Sequence, residues 1–204
     1  MGVDIYGRKP TLKHEEPKRP ENWTELSEEE QQPFYDKMDE FLNNNPGALF
    51  SNNWWNWRPL HMLLKHFVKE ENINVTEEEI DLEHNDGKGI EDGEVCKKLA
   101  KSFNSFAKMM EEKGHKRVFL NTGYWEYQSL NSHGIMQSTT IYDDPSDWEK
   151  KALIDLNIKL AGELFFYEKP SYENVEFNST HSTTIDNIKN FAVFLENCGG
   201  FRVY

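Results

Sequence analysis

Cysteine is almost missing from this chain: among 204 residues there are two, Cys96 and Cys198. Two thiols cannot build a disulfide framework or a four-thiolate zinc site, and their scarcity points to a reducing compartment. Long apolar runs are missing as well. No stretch approaches the roughly 18 residues that a membrane helix needs, and the mean hydropathy is -0.82, so no membrane partner is expected. Positive charge is in short supply, with 23 Lys and Arg against 36 Asp and Glu. A net charge of -13 argues against direct binding to a nucleic-acid backbone, whose affinity comes largely from Lys and Arg neutralising phosphates. The opening Met1-Gly2-Val3-Asp4-Ile5-Tyr6 has neither a basic n-region nor an apolar h-region, which makes the cytoplasm the expected location.

Catalytic signatures are absent too. There is no Gly-x-Ser-x-Gly, no phosphate loop and no dinucleotide fingerprint. His61 and His66 are five apart, whereas two metal ligands on one helix face need a spacing of four. His181-Ser182-Thr183 supplies half of a paired His-x-Thr phosphoesterase arrangement, and the other half is missing. The loop Asp81 to Asp92 alternates oxygen-bearing residues, but Asp86 stands where a calcium loop needs glycine and Asp92 where it needs a bidentate Glu. The expectation is a protein with no catalytic set, no resident metal and no cofactor.

Aromatic residues are plentiful: 13 Phe, 8 Tyr and 6 Trp bury large areas each and make a real core attainable despite the polar composition. Three of the tryptophans fall in Ser51-Asn-Asn-Trp-Trp-Asn-Trp-Arg-Pro-Leu60. As a recognition site, Trp54, Trp55 and Trp57 stack a base or sugar, Arg58 grips a phosphate or carboxylate, and Asn52 and Asn53 read polar edges. As structure, the indoles fill the junction between a sheet and a helix. Both roles are compatible. The loop residues His84, Asn85 and Asp86 either make a turn ahead of Gly87 and Gly89 or face the same pocket as Arg58. The candidate ligand-binding set is therefore Asn53, Trp55, Trp57, Arg58, His84, Asn85 and Asp86.

Periodicity orders the rest. Val3 and Ile5 alternate with polar neighbours as in a half-buried strand. Residues 8–47 read as an insertion with one helix, opened by the capping pattern Ser27-x-x-Glu30 or, since Pro33 lacks an amide donor, by Pro33 itself. Pro59 is placed as the first residue of a helix with the stripe Leu60, Leu63, Leu64, Phe67 and Val68. A short acidic helix or turn is expected near 76–80, and a longer helix carries Val95, Leu99, Phe103, Phe106 and Met110. Arg117–Leu120 reads as a strand, and 121–142 as loops with short strands. Ser146-x-x-Glu149 predicts a helix through Ala152, Leu156, Leu160 and Leu164, and Thr184 caps another through Ile185, Ile188, Ala192 and Leu195. Phe201 and Val203 end the chain as a strand. The predicted architecture is α+β: one predominantly helical domain, 1–204, with one small sheet that includes both termini.

Met1-Gly2-Val3-Asp4-Ile5-Tyr6-Gly7, Asn53-x-Trp55-x-Trp57-Arg58-Pro59-Leu60, His84-Asn85-Asp86-Gly87 and the ending Phe194-Leu-x-x-Cys-Gly-Gly-Phe201 occur in that order. The combination resembles a group of small uncharacterised proteins of bacteriophages and bacterial genomes. The resemblance implies a phage or prophage origin and an intracellular role, and brings no activity, cofactor or catalytic residue. The expected function is a non-catalytic phage accessory protein that binds a host protein, another host macromolecule or a small nucleotide-like ligand, with antagonism of host defence as its setting. The alternative is a small hydrolase or transferase with a cleft formed by Arg58, His84 and Asp86. A third class, an assembly protein forming homo-oligomers, calls for a large self-complementary apolar face.

Overall fold

The computed structural model describes residues 2–120, 124–130, 136–141, 157–160, 164–167, 175–178 and 181–204, with side chains described for 2–118 and 181–204. Strand β1, Gly2–Gly7, lies between β2, Leu49–Asn53, and β10, Phe201–Val203, and pairs with both antiparallel. Ile5 faces Val203 on one side and Phe50 on the other. Val3 and Ile5 are buried while Asp4 and Tyr6 are exposed, as the period of a strand demands. This is the terminal sheet of an α+β fold, and the two ends of the chain meet in it.

Residues 8–47 run between two strands that pair with each other. Gly7 N donates to Ala48 O at 3.0 Å, and a Cβ on Gly7 would lie 2.1 Å from Gly47 O, so the neck of the excursion is tight enough to require glycine. Its helix, α1, is Glu28–Asn44. The Ser27–Glu30 capping box is complete, and the carboxylates of Glu28, Glu29 and Glu30 sit at the positive end of the helix dipole. That start prevails over Pro33, which lies inside the helix in its second turn. Phe41 is the one buried residue of α1.

Helix α2, Trp54–Glu70, follows β2 without a loop. The Asn53 side chain accepts from Asn56 N at 2.8 Å and so caps a helix that starts five residues before Pro59, the start expected from sequence. The aromatic block is therefore the first turns of α2 and not a loop ahead of it. The predicted stripe holds: Leu60, Leu63, Leu64, Phe67 and Val68 are all buried, joined by Trp57 and His61.

A single turn, α3 (Glu77–Ile80), capped by Thr76, leads into the 81–92 loop and then α4, Gly93–Glu112, capped by Asp92. Val95, Leu99, Phe103, Phe106 and Met110 face the core as predicted. Helix α5, Ile185–Asn197, is capped by Thr184 and packs against α4. Phe191 sits where the layers meet, with ring centroids 5.1 Å from Phe50, 5.2 Å from Phe103 and 5.6 Å from Trp57.

Two further antiparallel sheets accompany the terminal one. The first has the order β6 (Asn157–Leu160), β7 (Leu164–Tyr167), β3 (Arg117–Leu120), β9 (Ser182–Thr184). The second has the order β5 (Met136–Ile141), β4 (Tyr124–Leu130), β8 (Val175–Asn178). Strands β6 and β7 overturn the helix expected through Leu164. Leu156, Leu160 and Leu164 recur every four residues, a spacing that a helix turn and a strand face share, and Leu160 pairs with Leu164 across the two strands. The capping pattern at Ser146 lies outside the described residues.

Candidate recognition surface

Because α2 begins at Trp54, its residues fan out by about 100° each. Trp57 turns inward with the core stripe. Its indole has no exposed surface, stacks on His61 and donates from Nε1 to Leu82 O at 3.2 Å. A ligand can reach nothing of it, so Trp57 is corrected from a candidate contact to a core residue. Trp55 and Arg58 turn outward instead, and the Trp55 indole is 52% exposed.

What these two meet is His181, at the entry to β9. The Trp55 and His181 rings stand edge to face with centroids 4.9 Å apart. Arg58 Nη1 lies 3.3 Å from His181 Nε2. A guanidinium only donates, so Nε2 is the unprotonated nitrogen of a neutral ring. Burial and then the nearby Arg58 charge hold the His181 pKa below its ordinary value, which keeps it neutral. The Arg58 guanidinium also sits 5.5 Å from the centre of the Trp54 ring, within cation–π range. Among the described residues no carboxylate pairs with Arg58. The surface thus combines a half-exposed indole, a neutral imidazole and a cation without an anion among the described residues.

The remaining candidates do other work. Asn53 is the cap of α2, and the Asn52 side chain accepts from Asn53 N at 2.9 Å. His84, Asn85 and Asp86 are exposed on the 81–92 loop. Asn85 Nδ2 donates to Gly2 O at 3.3 Å, while the Asp86 carboxylate accepts from Lys88 N at 3.2 Å and pairs with Lys88 Nζ at 3.1 Å. The loop is zipped to β10 by Gly87 N to Val203 O, Val203 N to Lys88 O and Phe201 N to Ile90 O. It is a turn that extends the terminal sheet, with Gly87 at φ +81. No hydrogen bond or ion pair among the described residues joins Arg58 to His84 or Asp86, and none of those residues groups three His, Cys, Asp or Glu side chains in a way that could hold a metal.

Sequence reasoning singled out Trp55 and Arg58 but missed His181 as their partner, because it comes from the entry to a strand far along the chain. A cleft of about 420 Å³ between α2 and α4, lined by Phe67, Lys98, Lys101, Ser105, Phe106 and Met109, begins more than two turns further along α2 and is separate from this surface. No protein-family model matches the chain, and no curated protein or solved structure matches it.

Proposed function

We propose that the protein is a non-catalytic binding protein that captures a small nucleotide-like ligand on Trp55, Arg58 and His181. The observation that carries this reading is Arg58: a cation held between Trp54 and His181 with no carboxylate partner among the described residues, beside an indole that is 52% exposed, in a chain of net charge -13. A planar base stacks on Trp55, and a phosphate replaces water on the guanidinium donors that His181 leaves open. The neutral imidazole contributes a face and no competing anion. The resemblance supplies the setting, a phage accessory protein in the host cytoplasm acting against host defence, and ligand capture is the form of that role which this surface suits best.

The test is a calorimetric titration of the protein with a panel of nucleoside mono-, di- and triphosphates and cyclic dinucleotides, alongside Arg58→Ala. Saturable 1:1 binding by one class, lost in Arg58→Ala, supports the reading. Absence of saturable binding across the panel, or binding that Arg58→Ala leaves unchanged, overturns it.

A further inference from the structure

We propose that Cys96 and Cys198 form a reactive dithiol that a low-molecular-weight disulfide converts into an intramolecular crosslink between α4 and the end of α5. They are the chain's two cysteines, both are free and buried, and the fold brings them together from distant positions. Cys96 lies in the first turn of α4, and Cys198 is the C-cap of α5. The two backbones touch at that point: a Cβ on Gly93 would lie 3.1 Å from Gly199 Cα. Both side chains belong to one buried core cluster, each thiol is near enough to shift the proton affinity of the other, and the Cys198 thiol donates to Leu195 O at 3.5 Å.

The pair is asymmetric. The neighbouring Cys96 holds the Cys198 thiol below its ordinary value despite burial, whereas the same neighbour and burial raise Cys96. That direction agrees with Cys198 as the attacking sulfur and Cys96 as the resolving one, an order that access to the two sulfurs sets. Cys198 is also the sulfur that a local opening uncovers first. Its turn is covered by residues 8–11, which are held by Arg8 N to Gly200 O, Lys9 N to Cys198 O and Thr11 N to Asn197 O, while Cys96 sits within a regular helix. A strap held by three backbone hydrogen bonds and outside any helix or strand opens far more readily than the core.

The chemistry balances without a further reactant. The Cys198 thiolate attacks one sulfur of the disulfide RSSR and releases RS⁻, which takes up the Cys198 proton. The Cys96 sulfur then attacks Cys198 in the mixed disulfide, its proton leaving with the second RSH. One RSSR yields one protein disulfide and two RSH.

The experiment uses the native full-length chain incubated with oxidised glutathione, quenched, denatured, alkylated and weighed intact. The expected product has lost two hydrogens, takes up no alkyl group and yields a 96–198 linked peptide in a non-reducing digest. In Cys96→Ala, which keeps the site apolar, a single glutathione adduct accumulates on Cys198. In Cys198→Ala, Cys96 reacts about tenfold more slowly or less. Two thiols still alkylatable in oxidised wild-type protein, a glutathione adduct on Cys96, or a disulfide-linked dimer overturns the proposal. The wild-type arm reads out whether or not either variant folds.

Discussion

The Trp57 indole and the His61 imidazole lie one helical turn apart on α2 and stack, with ring centroids 5.9 Å apart and 9° between their planes. Each reaches across to the same short segment: Trp57 Nε1 donates to Leu82 O at 3.2 Å, and His61 Nε2 lies 2.7 Å from Ile80 O and 3.3 Å from Leu82 N. One nitrogen cannot donate and accept together, so the shorter contact makes Nε2 the protonated one. The pair fastens the 80–82 strap over the core and satisfies its buried carbonyls.

Trp57→Ala should therefore cost about 3–5 kcal/mol, through lost burial and the cavity left behind. Trp57→Phe retains an aromatic ring but strands the Leu82 carbonyl, for about 1–3 kcal/mol. Urea unfolding measures both. An unchanged midpoint for Trp57→Ala would contradict the core assignment.

Much of this frame was legible in the sequence, for reasons tied to particular residues. The stripes Leu60 to Val68 and Val95 to Met110 have a period that only a helix satisfies, and Val3, Ile5, Phe201 and Val203 alternate as strands do. Leu156, Leu160 and Leu164 misled because a spacing of four serves a helix and a strand equally well. Pro59 misled because the cap that decides where α2 starts is Asn53, within the aromatic block itself. The partnership of Arg58 and Trp55 with His181 could not be read, since α2 and β9 meet only through tertiary packing.

His61 makes stability depend on pH in a defined direction. Burial, far outweighing the bond to Ile80, lowers its pKa from 6.5 to about 4. A histidine with a depressed folded-state pKa binds fewer protons folded than unfolded between those two values. Its contribution is therefore fully present above pH 6.5 and is lost as pH falls towards 4. The loss is about 3 kcal/mol for this buried group. Unfolding free energies of the wild type and of His61→Asn, measured from pH 7 to 4.5, should converge as acid removes what the substitution removes already. Parallel curves would show that His61 is not the group that titrates.

Gly200 is fixed by backbone geometry. Its φ is +95, and a Cβ there would stand 2.4 Å from Glu91 O, where the chain turns from α5 into β10 beside the 81–92 loop. Gly200→Ala meets strain and a backbone clash together, so it should destabilise by more than about 1 kcal/mol. Gly114, at φ +78 with open space around it, isolates the conformational part, and Gly114→Ala should cost less. Equal losses would mean that the contact with Glu91 relaxes freely.

Trp55 and Arg58 separate stability from recognition. Both side chains are on the surface, so Trp55→Ala and Arg58→Ala should leave the unfolding free energy within about 0.5 kcal/mol of wild type. Their effect belongs on His181 instead. Its pKa is lowered first by burial and second by the Arg58 charge. Arg58→Ala removes the second cause and leaves the first, so the His181 ring should titrate higher than in wild type and still below an ordinary histidine. Trp55→Ala uncovers the ring and should also raise it. Resolved imidazole signals followed by NMR from pH 4.5 to 8 measure both shifts without any ligand. Variants that melt normally, shift His181 upward and lose the nucleotide-like ligand would mark these residues as a recognition surface. Variants that unfold early would place Trp55 and Arg58 beside Trp57 in the scaffold.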